Sequence, residues 1–235
     1  PLDENSDRHC ILINTDSHTL YETFGSSRIY SGGVWQSSWT IRQLSIWDLT
    51  SNALRTDTWT SADAAGLPIM PGLVNYNEVQ TAIANGTYVV PHAFRFTLAL
   101  THGPYLWPAR HDANSGGSLN PPFGMRVRMK ASVDTSSYSP EVKTILNTLK
   151  KYGMFMADNG GDWYITGAPH ANWNDSDIHD AFITVGYPRD IFEVVDESTW
   201  MVDANSGEAR NPNSVVPSTK SISGKFKFTG GGTFR

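Results

Sequence analysis

The sequence predicts a mainly β protein: an antiparallel β-sandwich or jelly-roll-like single domain with a few peripheral helices. Short apolar or alternating segments, rich in β-branched and aromatic residues, recur along the chain. Turn-forming Gly, Asn, Asp and Ser residues separate these segments. No internal repeat is visible. We therefore expect a single domain over residues 1–198, with residues 199–235 as a C-terminal extension that packs on it or continues it.

Four strands are expected in the first fifty residues, each bounded by turn-forming residues. The first two form a hairpin signal across a polar tetrapeptide, and the last two follow a Ser-Gly-Gly turn. The expected strands cover residues 10–14, 19–24, 34–39 and 42–49. The only cysteine, Cys10, lies in the first strand among apolar residues, so we expect a buried, unreactive thiol. A disulfide to a segment outside this chain is the alternative.

The middle of the chain contains a loop signal and then another strand. Residues 60–74 are rich in Ala, Gly and Pro, which predicts one helical turn followed by a buried, extended loop. Residues 92–100 alternate, so that Phe94 and Phe96 lie on one face of a strand and Arg95 on the other. Chemically useful side chains are therefore expected at the end of a rigid element.

The clearest helix is expected over residues 140–152. Ser139 supplies an N-cap oxygen, Pro140 takes the first helical position, and Glu141 complements the helix dipole. Gly153 ends the helix, and two strands around an Asn-Gly-Gly-Asp turn follow it. The remaining expected elements are strands over residues 154–157, 163–166 and 225–229 and weaker helices over residues 76–84 and 176–183.

Composition excludes several classes of partner. The 235 residues carry a formal net charge of −5 and only 17% charged residues, so the basic field that nucleic acid or an anionic membrane needs is absent. No apolar run approaches the roughly 20 residues that cross a bilayer. Low charge, many Trp, Asn, Ser, Thr and Gly residues, and acceptor sequons at Asn85 and Asn174 favour a secreted, extracellular glycoprotein.

Four motifs in the chain are distinctive. They are Ser-Ala-Asp-Ala-Ala-Gly-Leu-Pro-Ile-Met-Pro-Gly-Leu-Val from residue 61, His-Ala-Phe-Arg-Phe from residue 92, Trp-Pro-Ala-Arg-His from residue 107 and Lys-Tyr-Gly-Met-Phe-Met-Ala-Asp-Asn-Gly from residue 151. With them the chain resembles a family of secreted microbial β-rich proteins over about residues 7–196. The resemblance implies a secreted single-domain protein but no mechanism, because most members carry no established activity.

Residues 105–112 follow the alternating strand and concentrate two aromatics, an arginine, an imidazole and a carboxylate. Tyr105, Trp107 and Arg110 are therefore candidates for substrate binding. His111 is a candidate general acid or base, because imidazole titrates near neutral pH. This segment is the first candidate for a functional surface.

A glycoside hydrolase needs two carboxylates that flank the scissile bond. We favour Glu22 and Asp63 as this pair, with Arg95 and His111 positioning or polarising the substrate. Structural alternatives exist: Glu22 as a solvated strand residue and Asp63 as a helix cap. Asp158 precedes Asn-Gly and is expected to form a turn. The carboxylates considered are Asp16, Glu22, Asp63, Asp112 and Asp158.

The sequence leaves two classes of function open. The first is a polysaccharide-degrading enzyme acting on plant or microbial cell-wall glycan, favoured as a glycoside hydrolase. A lyase is a variant in which Tyr105 or His111 abstracts a proton beside a uronate that Arg95 or Arg110 neutralises. Nucleophile-elbow, phosphate-loop and dinucleotide motifs are absent, and the histidines lack ligand spacing, so neither a cofactor nor a metal is expected.

The second class is a non-catalytic glycan-binding domain that uses aromatic side chains. Aromatic faces stack on sugar rings because pyranose C–H groups form an apolar patch. The tryptophans expected to contact sugar are Trp35, Trp39, Trp107 and Trp163. Two carboxylates about 5 to 10 Å apart at the floor of a cleft would favour a hydrolase, whereas a flat aromatic strip without such a pair would favour binding.

Overall fold

The computed structural model describes residues 6–186 and 188–210, and strands (27%) exceed helices (19%), as expected for a strand-rich fold. The strands are β1 Cys10–Asn14, β2 Thr19–Phe24, β3 Ser27–Ser31, β4 Val34–Thr40, β5 Gln43–Asp48, β6 Phe94–Leu98, β7 Arg126–Met129, β8 Met154–Asn159, β9 Tyr164–Ile165 and β10 Phe192–Val195. The helices are α1 Tyr76–Ala84, α2 Pro140–Lys151, α3 Asp175–Thr184 and α4 Pro188–Ile191, with a 3-10 turn at Met70–Gly72.

The first sheet is antiparallel, with the strand order β1-β2-β5. Because side chains alternate along a strand, Leu20 and Glu22 of β2 face inward, and both are fully buried. On the opposite face, Leu12 of β1 and Ile46 of β5 are exposed. This sheet therefore covers the protein with one face and presents the other to solvent.

Strands β3 and β4 form a separate antiparallel hairpin that turns at Gly32 and Gly33. Both glycines have positive φ, 61° and 79°, a backbone conformation that glycine adopts without steric cost. Most residues of β4 are exposed on both faces. The hairpin is thus a two-stranded ribbon on the surface of the protein.

The third sheet is mixed and has the order β10-β7-β8-β6-β9. Strands β6 and β8 run parallel, and the other pairs are antiparallel. All five residues of β6 are buried, with Phe94 and Phe96 in the hydrophobic core. Helices α1 and α2 pack against each other, and α2 also packs on β7. The two faces of β6 therefore meet different surroundings, one apolar and one charged.

Local sequence signals located most of these elements. Helix α2 begins after the Ser139 cap, whose Oγ accepts from the Val142 N–H, and this confirms the predicted start. Strand β3 was not predicted. The prediction of a buried Cys10 thiol is wrong, because Cys10 is exposed on β1. The strand expected over residues 225–229 lies outside the described residues.

Within the described part of the chain, no helix is both long and apolar enough to cross a membrane.

Two glycines that follow helices provide a test of the packing between α2 and β7. Gly153 and Gly86 both have positive φ, 71° and 69°. A Cβ at Gly153 would overlap the carbonyl oxygen of Val127, whereas a Cβ at Gly86 would meet nothing within 4 Å. We expect Gly86→Ala to cost about 1 kcal/mol and Gly153→Ala about 3 kcal/mol in the free energy of unfolding. Urea unfolding measures both, and equal costs would contradict this packing.

Candidate functional site

Four charged side chains meet beneath the first sheet: Glu22 of β2, Asp63 of the 60–74 loop, Arg95 of β6 and Asp158 of β8, together called the carboxylate cluster. Arg95 binds Asp63 with two hydrogen bonds, Nη2 to Oδ1 at 2.8 Å and Nε to Oδ2 at 3.2 Å. Glu22 interacts electrostatically with both Arg95 and Asp63, so the three predicted residues Glu22, Asp63 and Arg95 are brought together. Two-point contact with a carboxylate is the geometry that a guanidinium favours.

Asp158 completes the cluster at the end of β8. Its Oδ2 lies 3.7 Å from Nη2 of Arg95, and its side chain shares a hydrogen bond with Asp63. Burial, and then the charge of Asp63, raise the pKa of Asp158 to about 7. Burial also raises the pKa of Asp63, but Arg95 stabilises the Asp63 carboxylate directly. The hydrogen bond between the two carboxyl groups raises the pKa of Asp158 and lowers that of Asp63, so it favours a proton on Asp158 over one on Asp63.

Glu22 is held by backbone and indole N–H groups. Its Oε1 accepts from the N–H groups of Ile69 at 2.9 Å and Met70 at 2.8 Å. Its Oε2 accepts from Nε1 of Trp47 at 3.1 Å and also from Ile69. Burial raises the pKa of Glu22, and these hydrogen bonds oppose the rise. Glu22 therefore fastens the 60–74 loop to the first sheet.

Access to the carboxylate cluster is limited to one member. The side chain of Asp63 is 0% exposed, and Glu22 is likewise fully buried. Asp158 is 23% exposed, so it is the carboxyl group that solvent reaches. The carboxyl groups of Asp63 and Asp158 are within hydrogen-bonding distance of each other. This separation is shorter than the roughly 5 Å between the two catalytic carboxyl groups of a retaining glycosidase. In this conformation, a sugar substrate reaches only Asp158.

Asp158 was predicted only to form a turn, and its place in the carboxylate cluster was not predicted. At the turn that follows β8, Asp158 Oδ1 accepts from the N–H of Asn159 at 2.8 Å. The parallel pairing of β8 with β6 sets Asp158 beside Thr97 and near Arg95. A carboxylate at the end of an apolar strand was the available signal, but periodicity alone does not identify which strand is the neighbour.

The 105–112 segment makes contacts within the protein. Trp107 Nε1 donates to the carbonyl oxygen of Ser206 at 2.9 Å, and Tyr105 OH donates to Asp57 Oδ1. The buried Arg110 donates from Nε to the carbonyl oxygen of Arg55 and from its terminal nitrogens to the 204–205 turn. These side chains therefore join the 105–112 segment to residues 55–57 and 204–206. Their roles in substrate binding stay predictions.

His111 lies at the edge of the carboxylate cluster without joining it. Its Nδ1 is 2.8 Å from the carbonyl oxygen of Ala64, the residue after Asp63. The carbonyl oxygen of the neighbouring Ala65 accepts hydrogen bonds from the backbone N–H groups of Arg110 and His111. The contacts described for His111 thus position its backbone and ring against the loop, and its catalytic role stays a prediction.

Exposed aromatic rings lie on one face of the β3–β4 hairpin. Arg28 and Tyr30 are two residues apart on β3 and so share a face, and their partners on β4 are Trp39 and Trp35. Trp35 and Trp39 are 53% and 51% exposed, and the rings of Tyr30 and Trp35 are 4.9 Å apart. Tyr30, Trp35 and Trp39 are called the aromatic strip.

The other aromatic candidate, Trp163, is a core residue. It is buried and stacks on Phe96 at 5.2 Å and on Phe192 at 5.4 Å between ring centroids. Stacking in the core leaves no face for a sugar. Trp35 and Trp39 are therefore the predicted tryptophans that the structure presents to solvent.

A groove of about 540 Å³ opens beside β1. It is lined by Ile11, Ile13, Met70, Pro71, Leu73, Asn75, Glu78, His92, Ala168 and Pro169. Its lining is mostly apolar and includes no member of the carboxylate cluster. The cluster therefore does not form the floor of this groove.

The described residues contain no group of three or more His, Cys, Asp or Glu side chains placed to hold a metal ion. No family model matches the chain, and neither a curated protein nor a solved structure matches it.

Asp158 makes the stability of the protein depend on pH. Its pKa rises from an ordinary value of 3.8 to about 7 on folding, so the folded state holds the proton more tightly. The stabilisation of the folded state by this proton is complete below pH 3.8 and is lost as the pH rises to about 7. We expect the free energy of unfolding to fall over this range. Asp158→Asn, which still donates to Asp63, should remove part of that fall, by roughly 1 to 3 kcal/mol.

Chemical unfolding at pH 4.5, 6 and 7.5 measures this difference. Glu197, whose pKa burial also raises to about 7, contributes to the slope that remains in the variant. Asp16→Asn changes an exposed carboxylate in the β1–β2 turn and serves as the matched control. Parallel pH profiles for the native chain and Asp158→Asn would contradict the shared proton.

Proposed function

We propose that the protein is a secreted glycan-binding domain and that the aromatic strip is its contact surface. The observation that carries the proposal is the exposure of three aromatic rings on one face of a hairpin. In this proposal, the sheets form the sandwich or jelly-roll-like fold that the sequence predicts, an architecture that lectin domains use. The exposed sequon residues Asn85 and Asn174 carry N-glycans, which fits secretion.

The chemistry of the aromatic strip suits an extended sugar chain. An indole face offers a large apolar surface with few rotatable bonds, and it stacks on the C–H face of a pyranose. Trp35 and Trp39 are four residues apart on β4, but because of the bulge their partners on β3 are only two residues apart. At the rise of a strand, these separations correspond to roughly 7 to 13 Å between the two tryptophans. Two stacking faces at this spacing favour an oligosaccharide over a single sugar.

The carboxylate cluster supports binding over hydrolysis. Glu22 and Asp63 are fully buried and carry several hydrogen bonds each, so neither flanks a surface cleft. A solvent-exposed aromatic strip without an accessible carboxylate pair is the pattern expected of a binding module. The exposed tryptophans also form an apolar patch on the surface hairpin, and such patches usually mark interaction sites.

Removing an indole of the aromatic strip should weaken glycan binding. We expect Trp35→Ala and Trp39→Ala each to weaken binding by up to about tenfold, because stacking contributes roughly 0.5 to 1.5 kcal/mol per ring. Depletion from solution by insoluble polysaccharides, and affinity electrophoresis with soluble ones, measure the loss. Trp59→Ala is the matched control, because Trp59 is 59% exposed but lies outside the hairpin. Unchanged binding in both strip variants would contradict the proposal.

A glycoside hydrolase that uses Asp158 is the second candidate. A partly exposed carboxyl group whose pKa is about 7 holds a proton near neutral pH, as a general acid must. Arg95 and Asp63, which touch Asp158, would then position it instead of contacting sugar. The lyase variant lacks such support, because Tyr105 and Arg110 contact other parts of the protein.

Product analysis distinguishes these functions. The protein is incubated with neutral and uronate polysaccharides while reducing ends and the ultraviolet absorbance of unsaturated products are followed together. A hydrolase should release reducing ends alone, with a rate that Asp158→Asn lowers at least about a hundredfold and Asp16→Asn leaves unchanged. Reducing ends with absorbance would identify a lyase. Silence on every polymer with retained binding would exclude catalysis on those polymers.

A further inference from the structure

The β3–β4 hairpin carries a positive charge in an acidic protein. Between residues 23 and 47 the only charged side chains are Arg28 and Arg42, whereas the whole chain has a formal net charge of −5. Both arginines are exposed. The sign of the local charge is therefore opposite to that of the protein as a whole.

Arg28 lies beside the aromatic strip. It is the cross-strand partner of Trp39, and its Nε donates to the carbonyl oxygen of Gln36 at 2.6 Å. That bond fixes the stem of the guanidinium and involves none of its terminal nitrogens. Among the described residues, no carboxylate forms an ion pair with Arg28. Arg28 thus places a preoriented donor pair next to an exposed indole.

Arg42 adds a second charge just after β4. Its guanidinium lies 6.0 Å from the ring of Phe24, and its backbone N–H donates to the Phe24 carbonyl oxygen. Like Arg28, it has no carboxylate partner in the described part of the chain. By contrast, Arg126 of the third sheet pairs with Glu197 at 2.9 Å.

We infer that the aromatic strip selects acidic polysaccharide, a polymer bearing carboxylate or sulfate groups, with Arg28 contacting the anion of a sugar stacked on Trp39. This inference rests on the proposed glycan-binding function and names its ligand class. A guanidinium forms two-point hydrogen bonds with carboxylate and sulfate oxygens. The negative charge elsewhere on the protein repels such a polymer and directs it to the hairpin.

An anionic bilayer fits the same surface less well. Electrostatic attachment to lipid headgroups uses clusters of about four to eight basic residues at roughly 1 kcal/mol each. The hairpin offers two, Arg28 and Arg42, and polar Gln36, Ser37 and Ser38 lie between its tryptophans. A stacked sugar with one anion needs only one arginine beside one aromatic ring, which is what the hairpin provides.

Binding to matched polymers tests the inference. The full chain is titrated with polygalacturonate and dextran sulfate, and with neutral xyloglucan and dextran, at 50 and 500 mM sodium chloride. We expect Arg28→Gln with Arg42→Gln to lower affinity for the acidic polymers on the order of tenfold at low salt and to leave neutral polymers unaffected. Arg128→Gln with Arg189→Gln removes equal charge outside the hairpin and should leave all affinities unchanged.

The outcomes of this experiment distinguish failure of the acidic ligand from failure of glycan binding itself. Strip-dependent binding with equal affinity for neutral and acidic polymers, or acidic binding that survives the hairpin arginine variant, overturns the acidic ligand and leaves glycan binding in place. Binding to no polymer overturns both. Hairpin-dependent binding to vesicles of phosphatidylglycerol and phosphatidylcholine, without polymer binding, overturns both in favour of a membrane surface. Circular dichroism of each variant confirms that the chain remains folded.

Discussion

The buried ion pair between Asp63 and Arg95 joins the parts of the chain that must pack together. Arg95 lies on the fully buried strand β6, and Asp63 lies in the 60–74 loop that continues to the 3-10 turn. The same guanidinium donates from Nη1 to Thr166 Oγ1 at 2.7 Å, which adds the region after β9. A buried charge is tolerated only when its hydrogen bonds are satisfied, and removal of one partner leaves the other stranded at a cost of roughly 3 to 5 kcal/mol. The loop therefore has one favourable position on the sheet.

Charge imbalance around this ion pair explains the raised pKa of Asp158. Three carboxyl groups, Glu22, Asp63 and Asp158, share one guanidinium, that of Arg95. Glu22 is compensated by N–H groups from Ile69 and its neighbours, and Asp63 by Arg95 itself. Asp158 has the weakest compensation and the most solvent, so it is the group that stays protonated at the lowest cost. The carboxylate cluster thus stabilises the fold and also places a proton donor, Asp158, near the surface.

The sequence predicted elements that depend on neighbouring residues and missed features that depend on distant ones. Helix α2 follows from its cap, first-turn proline and apolar stripe, all local signals. The convergence of Glu22 with Asp63 was predicted from residue type, whereas that of Asp158 required the parallel pairing of β8 with β6. Cys10 shows a further limit. Alternation along β1 separates two faces but does not say which one is covered, and Cys10 lies on the open face.

In the β3–β4 hairpin, the proposed binding surface and the folded ribbon depend on the same side chains. An isolated two-stranded ribbon is marginally stable in water, and β3–β4 belongs to neither larger sheet. Its stability therefore rests on cross-strand contacts such as Tyr30 against Trp35 and Arg28 to Gln36. These contacts use one edge or face of each ring and leave more than half of Trp35 and of Trp39 in water. Trp35 packs against Tyr30, whereas Trp39 has no ring partner among the described contacts, so its exposed indole is the ring most open to the proposed ligand.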